Sequence, residues 1–295
     1  MTTSSRKRPK RPIAAVALST FASLASAAAL LLAGCTSASD RAIELALDSC
    51  ASSASTPVDA EIACTKVIDN IDSTDRQRAI ALYNRGVLKG NAGGLDDAMA
   101  DLDHALALDP SRAIAFDGRA VLYSKKGDME AARRDFEVAI RLKPNDASIH
   151  ADFGIAYQLN ALPEPALPHL NRALELDPKA TTARATRCWA RGVLNRELEQ
   201  ALADCNRALK EEPLNYNTYS SRGLVQYRLG HYEASIADVN RCIAGKPNSA
   251  FSHYLRGLAE HALGRHAEAE ADMAKGMQMN PNAIQRYQGF GLTLP

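Results

Sequence analysis

Six prolines, Pro110, Pro144, Pro178, Pro213, Pro247 and Pro281, follow one another at intervals of 34, 34, 35, 34 and 34 residues. A unit that short cannot enclose a core of its own, so each must bury its apolar face against its neighbours, and the product is a stacked, quasi-one-dimensional array. Such an array presents an extended surface rather than one deep cleft. That favours holding other proteins over performing chemistry.

Numbering each unit so that its proline is position thirty-two tests the period against sterics. Position twenty is then Ala98, Ala132, Ala166, Ala201, Ser235 and Ala269, and position twenty-seven is Ala105, Ala139, Ala173, Ala208, Cys242 and Gly276. Position eight is Gly86, Ala120, Gly154, Trp189, Gly223 and Gly257, where Trp189 alone is large. Bulkier groups recur at position twenty-four: Leu102, Phe136, Leu170, Cys205, Val239 and Met273. Small residues at three fixed offsets beside one bulky residue are what two antiparallel helices need to approach closely. Gly93, Gly127, Gly230 and Gly264, at position fifteen, supply the turn between them. Each unit reads as a helix hairpin and the chain as all-α.

With tyrosine near position eleven or twelve (Tyr123, Tyr157, Tyr227), the pattern resembles the tetratricopeptide repeat. The resemblance covers residues 79–282 in six units, about 79–112, 113–146, 147–180, 181–215, 216–249 and 250–283. It implies a TPR solenoid of antiparallel helix hairpins wound into a right-handed superhelix. Ahead of it, Ala60, Cys64 and Val67 repeat the offsets of positions twenty, twenty-four and twenty-seven, so a degenerate first hairpin is expected within 40–78. After Pro281, Ile284 and Tyr287 share one helical face, which predicts a short cap and tail over 283–295.

Residues 1–34 carry a second signal. Arg6, Lys7, Arg8, Lys10 and Arg11 precede an uncharged apolar run from Ile13 to Ala33, the composition of a secretory signal peptide. The run ends in Leu32-Ala33-Gly34-Cys35, which resembles the lipobox of bacterial lipoproteins. That implies cleavage before Cys35, its acylation and a lipid-anchored linker over 35–39. Thr36 stands where an aspartate would retain such a lipoprotein in the inner membrane, so the implied address is the outer membrane, facing the periplasm. The competing reading leaves the 21 apolar residues as a permanent membrane span. Without the leader's five basic residues, 30 Lys and Arg face 34 Asp and Glu. The mature chain is thus mildly acidic and lacks the basic face a nucleic-acid partner requires.

Five cysteines remain for an oxidising compartment. Counted back from Pro213, Cys188 is position seven and Cys205 position twenty-four of the fourth unit, on facing helices, while Cys50 and Cys64 flank the turn of the degenerate hairpin. Both pairs are expected as disulfides, with Cys242 free; the alternative is that each cysteine is a small apolar filler. Charge repeats as well. Position seven is Arg85, Arg119, Arg222 and Arg256 in units one, two, five and six, and position twenty-three is Asp101, Asp135, Asp238 and Asp272. The third unit has Phe153 and His169 instead, losing both together, which points to a structural ion pair built on the guanidinium fork. The longer fourth unit leaves its register open, since a shortened turn would place Arg191 and Gly192 at positions seven and eight and move Cys188 to position four.

In tetratricopeptide proteins the first helix of each hairpin lines a concave groove. Carried onto this sequence, that wall includes Tyr83, Asn84, Val87, Val121, Lys125, Ile155, Leu159, Leu224, Tyr227, Arg228, Tyr254, Leu258 and His261. The mixture of apolar and aromatic groups suits an extended peptide or a helix of a partner protein. The carboxylate-clamp subclass has lysine and asparagine at positions five and nine of its first repeat; Tyr83 and Val87 stand there, so that clamp is not expected. No CxxC, HExxH or glycine-rich phosphate loop occurs, and His253, His261 and His266 near Met273, Met277 and Met279 lack a converging metal spacing. No cofactor, metal or enzymatic activity is expected. The chain resembles bacterial outer-membrane TPR adaptor lipoproteins, which implies a non-catalytic scaffold tethered to the envelope through Cys35. The alternative is a chaperone-like holdase for exported or outer-membrane proteins.

Overall fold

The computed structural model describes residues 37–52 and 54–294. Cys35 and the leader lie outside the described residues. The first hairpin is α1 (Ala38–Ala51) with α2 (Pro57–Asp69). Six further hairpins follow: α3 (Asp75–Asn91) with α4 (Leu95–Leu108), α5 (Ala113–Lys125) with α6 (Met129–Leu142), and α7 (Ala147–Leu159) with α8 (Pro163–Leu176). Then come α9 (Thr181–Leu194) with α10 (Leu198–Glu211), α11 (Tyr216–Arg228) with α12 (Tyr232–Gly245), and α13 (Ala250–Ala262) with α14 (His266–Met279). A final helix, α15 (Pro281–Gly289), closes the array. No strand occurs among the described residues, and none of their helices is long and apolar enough to cross a membrane.

The hairpins close for the steric reasons the offsets imply. A Cβ added to Gly257 would stand 2.7 Å from the Ala269 carbonyl oxygen and 2.5 Å from Met273 Cγ, so positions twenty and twenty-four press directly on position eight. Gly127, at φ +82, makes the turn from α5 to α6 in the left-handed region that glycine enters without penalty. The third unit makes the same turn with Ala161 at φ 54, which costs about 1 kcal/mol relative to glycine.

Successive first helices touch along the whole array, from α1 against α3 to α11 against α13, whereas no comparable contact joins successive second helices. The first helices therefore stand closer together, and the solenoid curves toward them. They line its concave side.

The fourth unit corrects the register obtained by counting back from Pro213. α9 has fourteen residues where α5, α7, α11 and α13 have thirteen, so the extra residue lies at its C-terminal end. Counted forward from Pro178, Cys188 falls ten residues on, as Gly154 does from Pro144 and Gly223 from Pro213. Cys188 thus occupies position eight, the crowded site, rather than seven or four. Trp189 moves to the concave face, where it is 5% exposed.

Candidate partner groove and the staples that shape it

Position seven holds the array together in three directions. Arg85 Nε and Nη2 donate to the two Asp101 oxygens at 2.9 and 2.8 Å. Arg119 meets Asp135 at 2.6 and 2.9 Å, and Arg222 meets Asp238 at 2.7 Å through both nitrogens. Arg256 grips Asp272 in the same fork, with one arm at 2.8 Å. Arg187, nine residues after Pro178, supplies the fifth fork, to Asp204, at 2.8 Å through both arms. The remaining nitrogen, Nη1, reaches back to the preceding unit: Arg119 to Asp103, Arg187 to Asn171, Arg222 to Asn206 and Arg256 to Asn240, at 2.6 to 3.0 Å. One side chain therefore ties together its own hairpin and the neighbouring one. Sequence reasoning missed this third arm, although Asp103, Asn171, Asn206 and Asn240 share position twenty-five.

Donating hydrogen bonds to the carboxylates raises Arg85, Arg119, Arg222 and Arg256 above the usual guanidinium value. Burial alone would push Asp101 up, but the Arg85 and Lys89 cations outweigh it and hold the carboxyl low. In the third unit an aromatic stack replaces the fork, with Phe153 4.1 Å from His169 and 4.5 Å from Phe136, centroid to centroid. Burial and the neighbouring His150 push His169 down to about 4.

Both cysteine pairs form disulfides, Cys50 to Cys64 and Cys188 to Cys205, and Cys242 is free and buried. The second bridge takes the place of the glycine-to-bulky contact between positions eight and twenty-four. The histidines near the C-terminus are otherwise engaged: His253 Nδ1 lies 3.2 Å from Asp272, its Nε2 lies 3.0 Å from the Pro247 carbonyl, and His261 meets His266 edge to face. Among the described residues no group of three or more His, Cys, Asp or Glu is placed to hold a metal ion.

The concave wall divides into two halves. In the first half, Tyr83, Asn84, Val87, Val121 and Ile155 are half-buried while Lys125 and Leu159 are exposed. In the second half, Leu224, Tyr254 and Leu258 are closed to solvent, in one apolar cluster with Trp189, Ile284 and Leu292. These three are not accessible groove residues, because the chain's own C-terminal segment lies over that end. Tyr287 on α15 stacks on Phe251 at 3.8 Å, and its hydroxyl faces the Trp189 indole. Beyond α15 the backbone folds back. Arg228 Nη2 donates to the Phe290 carbonyl at 2.6 Å and Tyr254 Oη donates to the Leu292 carbonyl at 3.0 Å. Tyr227 stays half-buried against Tyr232, and His261 is half-buried as well.

These features define a repeat scaffold with a partly filled groove. Residues 83–147 and 221–283 match the tetratricopeptide-repeat family model. The matched stretches are units one, two, five and six; the units with the aromatic stack and the added residue lie between them. Those four units are tetratricopeptide repeats. Among solved structures it is similar to a tetratricopeptide-repeat protein from Parabacteroides merdae, with 20% identity, 87% of this chain and 98% of that one covered, and a TM-score of 0.57. It is similar to PilW, a type IV pilus biogenesis factor, with 19% identity, coverage of 73% and 98%, and a TM-score of 0.59. A chain of the APC/C hetero-tetramer Cut9–Hcn1 aligns at 15% identity over 91% of this chain and 51% of that one, with a TM-score of 0.66. At these identities the likeness is one of fold. No curated protein matches the sequence.

Proposed function

We propose that this protein is a non-catalytic adaptor that holds an extended segment of a partner protein in the first half of its concave groove, tethered to a bacterial envelope membrane through acylated Cys35. The observation that carries the groove reading is the contrast between its halves: the far end is filled by residues 287–292, while Tyr83, Val87, Val121 and Leu159 remain available. An extended chain can lie across helices that present apolar and aromatic groups in series. The leader and Leu32-Ala33-Gly34-Cys35 support the tether.

A photo-crosslinking residue at Val87 or Leu159 should capture one dominant partner in cells, and Tyr83→Ala should abolish that capture. Equal capture from exposed Arg141 on the opposite layer would sink the groove assignment, and a broad client set would assign a holdase instead. Cys35→Ser should release the chain from the membrane fraction if lipid is the anchor. Full retention would point to a permanent span.

A further inference from the structure

Two carboxylates in the open half of the groove have no counterion. Asp117 on α5 and Asp152 on α7 come from consecutive units, at groove positions five and six, and line one cleft of about 170 Å³ with Tyr83, Val87, Val121 and Lys125. Asp117 is only 7% exposed, and its Oδ1 has no hydrogen-bond partner. Neither aspartate joins an ion pair among the described residues. Every other buried aspartate of the repeats, Asp101, Asp135, Asp204, Asp238 and Asp272, is gripped by an arginine of its own unit.

Burying a carboxylate without a partner is expensive, and a chain that supplies five such partners elsewhere has left this one open. The geometry points to a cation subsite: the Asp117–Asp152 pair receives the arginine or lysine side chain of a segment bound in the groove. This rests on the groove reading proposed above. The cleft is too small for a drug-sized ligand, which takes several hundred Å³, but holds the end of one long side chain. Val87 and Val121 offer an apolar wall to the aliphatic stem, and the Tyr83 ring offers a π-face to the charged head. That ring already has the Arg112 guanidinium 6.0 Å from its centroid.

The empty pair manages its charge by keeping a proton. Burial, then the Asp152 and Asp146 carboxylates, push Asp117 up to about 8, and the same desolvation raises Asp152. The other titrating or charged groups facing the cleft are Tyr83, pushed up to about 12 by its own burial and the two aspartates, Lys125 at the rim and Arg112 behind the ring. An incoming guanidinium or ammonium displaces the shared proton. Its binding therefore tightens as pH rises toward 8, by up to about tenfold per unit.

The test is panning of a random octapeptide library against the full-length chain and against its Asp117→Asn/Asp152→Asn variant, which removes charge while keeping shape. Wild-type protein should enrich peptides with one fixed arginine or lysine, and the folded variant should lose that preference by at least about tenfold. For a synthesised winner, replacing its basic residue with norleucine should weaken binding similarly, and calorimetry in two buffers of different ionisation enthalpy should show about one proton released per peptide bound. Groove-binding peptides without a fixed basic residue, or an unchanged preference in the variant, would overturn the cation subsite and leave the groove intact. No peptide displaced by Tyr83→Ala would overturn both.

Discussion

Removing Asp238 isolates what one guanidinium staple contributes. Arg222 donates to Asp238 twice at 2.7 Å and to Asn206 once at 2.8 Å, with the Arg222 and Asp238 side chains 23% and 9% exposed. An exposed pair contributes about 0.2–1 kcal/mol, whereas removing one partner of a buried pair costs about 3–5 kcal/mol. This pair lies between those limits, so Asp238→Ala should cost about 2–3 kcal/mol, and Asn206→Ala, which removes one peripheral bond, about 0.5–1 kcal/mol. The double variant Arg222→Ala/Asp238→Ala should be less destabilised than the sum of the single variants, with a coupling of about 1.5 kcal/mol. Urea unfolding measures the total, and amide hydrogen exchange locates the loss, because a solenoid opens unit by unit. Protection should fall in α11 and α12, and Asn206→Ala should loosen the joint with α10. A coupling below about 0.5 kcal/mol, or a loss spread evenly along the array, would refute the staple as the element that ties units together.

Ala161→Gly should raise stability by about 0.5–1 kcal/mol in the same denaturation assay, because Ala161 holds φ 54, and Gly127→Ala should lower it by a similar amount. Asp117 binds a proton more tightly in the folded chain, so that contribution is full below its unfolded value and is lost as pH rises through about 8. Thermal midpoints should therefore rise as pH falls from 8.5 to 6.5, and Asp117→Asn should flatten the slope. The arginine-held Asp101 and Asp272 have lowered values and act oppositely, so a further drop below pH about 4 should destabilise the array, read by far-UV circular dichroism. Reducing Cys188–Cys205, whose cysteines are 17 residues apart, should cost about 3 kcal/mol in the chain-entropy model and increase exchange mainly in α9 and α10. Deleting residues 287–295 should shift the emission of Trp189, the single tryptophan, to longer wavelength, and unchanged emission would contradict the fold-back.

Much of the solenoid was legible because its sterics repeat. Six hairpins each need something small where helices cross, and Ala98 to Ala269 or Gly86 to Gly257 mark those crossings in the bare sequence. The fourth unit misled because its extra residue lies at the end of α9, so counting back from Pro213 placed Trp189 at the crowded site. Arg187, nine residues beyond Pro178, was the available signal for the other register. The filled half of the groove was not legible. Phe290 and Leu292 belong to no period, and their placement depends on the curvature that brings Arg228 and Tyr254 within reach of the returning backbone. Asp117 and Asp152 stand 35 residues apart and share a cleft only because α5 and α7 pack side by side.

The returning C-terminal segment also sets a length. With α9 obstructed at Trp189, a chain lying across the first helices can extend only from α1 to α7. Three helix-to-helix spacings of about 8–10 Å span about 24–30 Å, which an extended strand at about 3.3–3.6 Å per residue covers in about 7–9 residues. The groove is in this sense a ruler with one stopped end. In the proposed binding mode it limits how much of a linear motif can be read and gives that motif a fixed place to stop.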